Sequence, residues 1–185
     1  MVRRRRLFAG IELDDAARSA CAAAAQSLKG TGFLAKYEAP EKLHVTLAFL
    51  GNIDPGQIAA VQETMSVTAS RFAPFAVTLD KLGAFPHERR PRVVFVGSRA
   101  QGAAFRLLAE ALRDAYRALD FDFHDDAVAH VTIARVKDSK RPLPLVNFRA
   151  IEMPVLGLSL FESLRDPANR TTRYETVARS PLTGG

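Results

Sequence analysis

Two short segments carry the residues best suited to chemistry, His44-Val45-Thr46-Leu47-Ala48 and His130-Val131-Thr132-Ile133-Ala134. In a β-strand, side chains at i and i+2 point to the same side. His44 and Thr46 then share one face and Val45 and Leu47 the other, and the second segment separates His130 and Thr132 from Val131 and Ile133 in the same way. Each segment would turn its apolar face to a core and its imidazole and hydroxyl to a cleft. A single His-x-Thr is common by chance, and a lone histidine among apolar residues is more often structural. Two copies 86 positions apart, using two of only four histidines, are much harder to explain as chance.

Such a pair suits phosphodiester cleavage without a metal. In-line displacement at phosphorus needs a base on the side of the attacking oxygen and an acid on the side of the leaving oxygen, and histidine titrates closest to neutral pH. Threonine hydroxyls can donate hydrogen bonds to the non-bridging oxygens, where charge develops in the transition state. The two residue types alone do not say which histidine is acid and which is base.

The elements that must position these residues are themselves repeated. A shift of 86 positions lays residues 7–11 on 93–97, both short apolar strands, and the Ala-rich helical stretch 16–28 on 102–114. Each half reads strand, helix, extended segment, then a strand that starts His-Val-Thr. A helix is expected from Asp54-Pro55-Gly56 to about Thr68, with the acid as N-cap and proline in the first turn. Strands are expected over 75–82, 151–161 and 173–178. The expected fold is α+β, a single bilobal domain over 1–185. Each lobe is an antiparallel sheet with helices packed outside, and the two lobes form a central cleft.

Composition sets the limits. The chain has 185 residues, 26 Lys+Arg against 20 Asp+Glu and a formal net charge of +6. A chain of this length buries about 70% of the surface its unfolded form exposes and folds without covalent staples. Cys21 is the only cysteine, which excludes an intrachain disulfide and multi-cysteine metal motifs and fits a reducing cytoplasm. No apolar run approaches the roughly 20 residues needed to span a bilayer. Residues 7–11 are too short for an export-signal core, so a strand preceded by the basic run Arg3 to Arg6 is expected. That run reads as a solubilising tail as readily as an RNA contact. The cluster His87-Glu88-Arg89-Arg90-Pro91-Arg92, between two strands, is the better candidate for touching substrate. No Gly-rich phosphate loop precedes a helix.

Other residues have simpler readings. His124-Asp125-Asp126 with His130 matches no strong metal-ligand spacing and reads as a polar turn. Phe49, Phe85, Phe121 and Phe123 include candidates for stacking a base, although most of the 12 phenylalanines should be core.

At the paired His-x-Thr segments the sequence resembles the 2H phosphoesterase superfamily and, within it, the RNA 2′,3′-cyclic phosphodiesterases, also called 2′-5′ RNA ligases. The resemblance extends to Arg6-Leu7-Phe8, to Leu43 through Gly51, to Gly83-Ala84-Phe85-Pro86 with Pro91-Arg92-Val93, to Arg135, to Ser163-Leu164 and to Tyr174. Ala129 stands where the family often has Pro, and Phe95 where many members carry Trp.

The resemblance implies opening of an RNA 2′,3′-cyclic phosphate to a 2′-phosphate with no cofactor and no metal, His44 being proton donor and His130 proton acceptor. It implies substrate contacts from Thr46, Thr132 and Arg135. Strict alternation would put Arg135 on the face opposite His130, so reaching the phosphate needs a bulge at that strand end. The expected species is a cytoplasmic monomer with no membrane association and no obligatory protein partner. Three alternatives stay open: action on 2′-5′-linked or small cyclic nucleotides, ligation in the reverse direction, and an RNA-end-binding module without turnover.

Overall fold

The computed structural model describes residues 3–137, 140–168 and 171–184. In chain order the elements are β1 (Arg5–Glu12), α1 (Asp15–Gly30), β2 (Ala35–Tyr37), β3 (His44–Ile53), α2 (Ile58–Ala69), β4 (Phe75–Leu79) and β5 (Lys81–Phe85). They continue with β6 (Val93–Gly97), α3 (Ala103–Arg117), β7 (His130–Val136), β8 (Ile151–Val155), β9 (Gly157–Arg165) and β10 (Thr172–Pro181). The fold is α+β with antiparallel pairing throughout. Among the described residues, no helix is long and apolar enough to cross a membrane.

The strands run β10-β9-β1-β3-β7-β6-β5, with β2 also paired to β7. One four-stranded half is therefore β10, β9, β1 and β3, and the other is β2, β7, β6 and β5. The expected pair of sheets is joined into one at the Val45–Val131 rung between β3 and β7. Because both strands begin on their histidines, this rung places the two His-x-Thr segments side by side at the seam. The repeat holds in three dimensions, since β1, α1 and β3 correspond to β6, α3 and β7.

The helices form because apolar residues recur every three or four positions. In α1 the buried stripe is Ala17, Cys21, Ala24, Ala25 and Leu28, and Asp14 caps the helix by accepting from the Ala17 amide at 2.9 Å. In α3 the stripe is Phe105, Leu108, Ala109, Leu112 and Tyr116. Val45, Leu47, Val131 and Ile133 are fully buried in the same core as these helical residues. Cys21 is one of the small apolar residues of that core, and burial pushes its thiol pKa up to about 12.

Several expected boundaries differ. The segment expected as one strand over 75–82 breaks at Asp80, so that β4 leaves for a separate two-stranded sheet with β8 while β5 joins the main sheet. The 151–161 segment divides at Leu156 in the same way, with β8 against β4 and β9 against β1. Pro55 does open a turn, but it is a 3₁₀ turn before α2, and Asp54 caps nothing. Its carboxylate instead receives Arg4 Nε at 3.2 Å and Nη2 at 3.1 Å. Arg5 pairs with Glu162 at 2.7 Å, so two of the four arginines in the basic run are held by carboxylates and are not a free tail.

Gly10 shows how closely β1 must approach β3. A Cβ there would lie 2.4 Å from the Val45 carbonyl oxygen, which is backbone and cannot swing aside. Gly10→Ala is expected to lower stability by about 1–3 kcal/mol. Thermal unfolding should show a fall in Tm of several degrees.

Candidate active site

His44 and His130 open β3 and β7, and the same short device holds each of them. His44 Nδ1 lies 2.6 Å from the carbonyl oxygen of Lys42, and His130 Nδ1 lies 2.8 Å from that of Val128. A carbonyl only accepts, so Nδ1 carries the proton in each ring and Nε2 is left for chemistry. His44 Nε2 sits 3.0 Å from the Thr46 hydroxyl. Lys42 and Val128 are themselves 86 positions apart, so the tautomer-fixing contact is duplicated with the motif.

Aromatic rings surround both imidazoles. Phe8, Phe161 and Tyr174 lie 4.8, 5.7 and 5.1 Å from His44, and Phe85 and Phe95 lie 5.1 and 5.5 Å from His130, measured between ring centroids. This burial is the main force pushing both histidines below their ordinary pKa of 6.5. The carbonyl bonds oppose it. The charges of His130 and Arg135 push His44 further down while Glu38 pulls it up, and Arg135 also depresses His130. A first proton on the pair thus disfavours a second.

His44, Thr46, His130, Thr132 and Arg135 line one cleft of about 570 Å³, with Glu38, Lys42, Phe49, Phe85 and Tyr174 in its walls. Arg135 reaches this face through a bulge. On β6, Val94 pairs with Ala134 and Phe95 with Thr132, so Ile133 is skipped and alternation resets beyond it. Arg135 then salt-bridges Glu38 at 3.3 Å. The bulge is duplicated as well, because Ala9 pairs with Ala48 and Gly10 with Thr46, skipping Leu47. It turns Phe49 to the cleft, where it is 62% exposed at the position matching Arg135.

Each bulge carbonyl finds a donor. The Ile133 oxygen accepts from the Glu38 amide at 2.9 Å, which fixes Glu38 where its carboxylate meets Arg135. The Leu47 oxygen accepts from Arg113 Nε at 2.7 Å, and the same guanidinium binds the Asp125 carbonyl on the cleft rim. The segment before His130 is held by Gln101, whose Oε1 accepts from the Ala129 amide at 2.6 Å. Gln101 has φ of +56°, in the left-handed region.

The remaining candidates divide. Phe85 lines the cleft with Phe49, whereas Phe121 packs on Tyr116 and Phe123 lies under the guanidiniums of Arg113 and Arg117. Asp125 and Asp126 edge the cleft, but His124 opens into a neighbouring groove. His87 is exposed, its Nδ1 accepting from the Arg90 amide at 3.2 Å. Glu38 and Lys42 carry no motif signal. Only an extended segment paired to β7 brings Glu38 in, and no feature of the sequence gives that pairing.

A family model described as LigT like Phosphoesterase matches residues 11–95. The chain is 35% identical over 132 residues to the RNA 2′,3′-cyclic phosphodiesterase of Archaeoglobus fulgidus, covering 71% of this chain and 73% of that protein. It is 27% identical over 184 residues to the protein of the same name from Thermotoga maritima, covering 97% of both. Among solved structures it is similar to TT0787 of Thermus thermophilus, at TM-score 0.82, 29% identity and coverage of 97% of this chain and 98% of the other. Escherichia coli LigT complexed with phosphate superposes at TM-score 0.72 and 27% identity, covering 98% and 99%. Two matched motif strands on one cleft, and relatives that share the whole fold, establish that the chain belongs to the LigT-like phosphoesterases, the family of the RNA 2′,3′-cyclic phosphodiesterases.

Proposed function

We propose that the enzyme hydrolyses an RNA 2′,3′-cyclic phosphate to a 2′-phosphate by acid–base catalysis through His44 and His130 alone, on one bilobal domain and with no metal. The observation that carries this reading is the duplicated hold on each Nδ1, which presents two Nε2 atoms to one cleft beside two threonines. His130 Nε2 takes a proton from water as the water oxygen bonds to phosphorus. The bond from phosphorus to O3′ breaks, and His44 Nε2 gives its proton to that oxygen. The threonine hydroxyls and Arg135 face the non-bridging oxygens, where negative charge accumulates. The relatives' name and the family role of the matching histidines supply the substrate and the direction of proton flow. Proton exchange with solvent then resets the pair.

Turnover needs one protonated and one neutral imidazole. Both pKa values lie below 6.5 in the free enzyme, so this form is most populated on the acid side of 6.5. The profile of kcat/KM against pH should be a bell with its maximum below 6.5. A bound anionic phosphate favours the imidazolium, so the bell for kcat should move to higher pH. Measuring both profiles on a cyclic-phosphate-ended oligonucleotide tests the proposal, and a kcat/KM that rises monotonically through neutral pH contradicts it.

A further inference from the structure

The basic cluster singled out in the sequence lies at the lip of the cleft. Phe85 and Val93 form the last rung of the β5–β6 hairpin and both line the cleft, and residues 86–92 are the turn that projects from this rung. The turn is closed by the Arg92 amide donating to the Phe85 carbonyl at 2.8 Å. Two further backbone bonds fasten it to the chain beyond β7, from the Val136 amide to the Arg92 carbonyl at 2.9 Å and from the Leu143 amide to the Glu88 carbonyl at 2.7 Å. They bring Arg89, Arg90 and Arg92 together with Arg141, two residues before Leu143. On the other side, Arg135, the cross-strand neighbour of Val93, and Lys36, paired to Arg135 in turn, carry the positive charge back to the cleft.

Apart from Arg135, which pairs with Glu38, these cations lack the counter-charges found elsewhere among the described residues. Arg4, Arg5, Arg117, Arg173 and Arg179 each pair with an acid. Lys36, Arg89, Arg90, Arg92 and Arg141 are exposed and form no ion pair with an acid among the described residues. Glu88 is the one carboxylate within the turn. Gathering like charges by backbone bonds is unfavourable by itself and is offset when a polyanion is bound.

We infer that this lip is a track for the phosphates of the RNA nucleotides preceding the cyclic end, so that the enzyme prefers oligonucleotides to mononucleotides. The inference rests on the RNA reading of the cleft. Single-stranded RNA neutralising Z cationic contacts gives a salt slope of about −0.7Z in log–log form. Three arginines therefore supply a slope of about 2, or close to 20-fold between about 50 and 200 mM salt.

The experiment compares wild type with R89A/R90A/R92A on a cyclic-phosphate-ended decanucleotide and on a mononucleoside 2′,3′-cyclic phosphate, with kcat/KM measured across that salt range. Wild type should favour the decanucleotide at low salt. The variant should lose about 10-fold or more on the decanucleotide and about 2 in salt slope, with its rate on the mononucleotide within about twofold of wild type. Equal loss on both substrates, or an unchanged decanucleotide rate and slope, overturns the track. Binding of a 2′-phosphate-ended decanucleotide, followed by fluorescence anisotropy, tests the track without turnover. Wild type that turns over neither substrate would sink the cyclic-phosphate reading, while the anisotropy salt slope would still decide the track.

Discussion

Replacing either His44 or His130 with alanine is expected to lower kcat on a cyclic-phosphate-ended RNA by about 10²- to 10⁴-fold, the usual contribution of a positioned acid or base. In the proposed mechanism both proton transfers serve one displacement at phosphorus, so either loss should remove most of the benefit. The double variant should fall little below the worse single one, because residues that act as a unit are not additive. Both rings lie partly open to the cleft and leave the backbone pairing of β3 and β7 in place, so Tm should change little. His44→Ala at wild-type kcat would remove the acid, and His130→Ala at wild-type kcat would remove the base. The contacts of Nδ1 with Lys42 and Val128 give a second expectation, since asparagine can restore the backbone contact but not the proton transfer. His130→Asn should therefore match His130→Ala in rate.

The second large effect concerns the hydroxyls. Thr46 and Thr132 share the faces of the histidines, and both line the cleft. Losing one donor to a developing oxyanion costs roughly 10²- to 10³-fold in kcat where donors are preorganised. Thr46→Val or Thr132→Val keeps the branched shape and removes the hydroxyl, so each should lower kcat by about 10²-fold with a smaller change in KM. Thr46→Ser should recover much of the loss. Thr46 also contacts His44 Nε2 at 3.0 Å, so its loss should alter the pH profile as well as the maximum rate. A change confined to KM would show that the threonines serve ground-state binding and do not act in the transition state.

Much of the site was legible from residue type and spacing. Alternation along a strand sorted His44 and Thr46 from Val45 and Leu47, and the 86-residue repeat pointed to a shared cleft. What alternation could not supply was the bulge. Arg135 belongs on the opposite face by strict period two, and the skipped Ile133, which resets the face, is an ordinary β-branched residue with no sequence mark. The same reset at Leu47 exposes Phe49 to the cleft, so one kind of backbone irregularity accounts for two orientations that strict alternation does not give. Glu38 was missed because its place comes from the pairing of β2 with β7, a contact between segments far apart in sequence. The division of 75–82 at Asp80 and of 151–161 at Leu156 was also hidden. Apolar content marks a strand, but it does not say which of two sheets each part will join. Asp54 looked like a helix cap, yet a nearby guanidinium, Arg4, competed successfully for its carboxylate.

The most direct measurement is to incubate the enzyme, in the presence of EDTA, with an oligonucleotide ending in a 2′,3′-cyclic phosphate and identify the phosphomonoester that forms. His44 as donor to O3′ and His130 as base for water should leave a 2′-phosphate only, at a rate unaffected by the chelator. A 3′-phosphate, no product, or a rate abolished by EDTA and restored by a divalent cation would contradict the two-histidine mechanism.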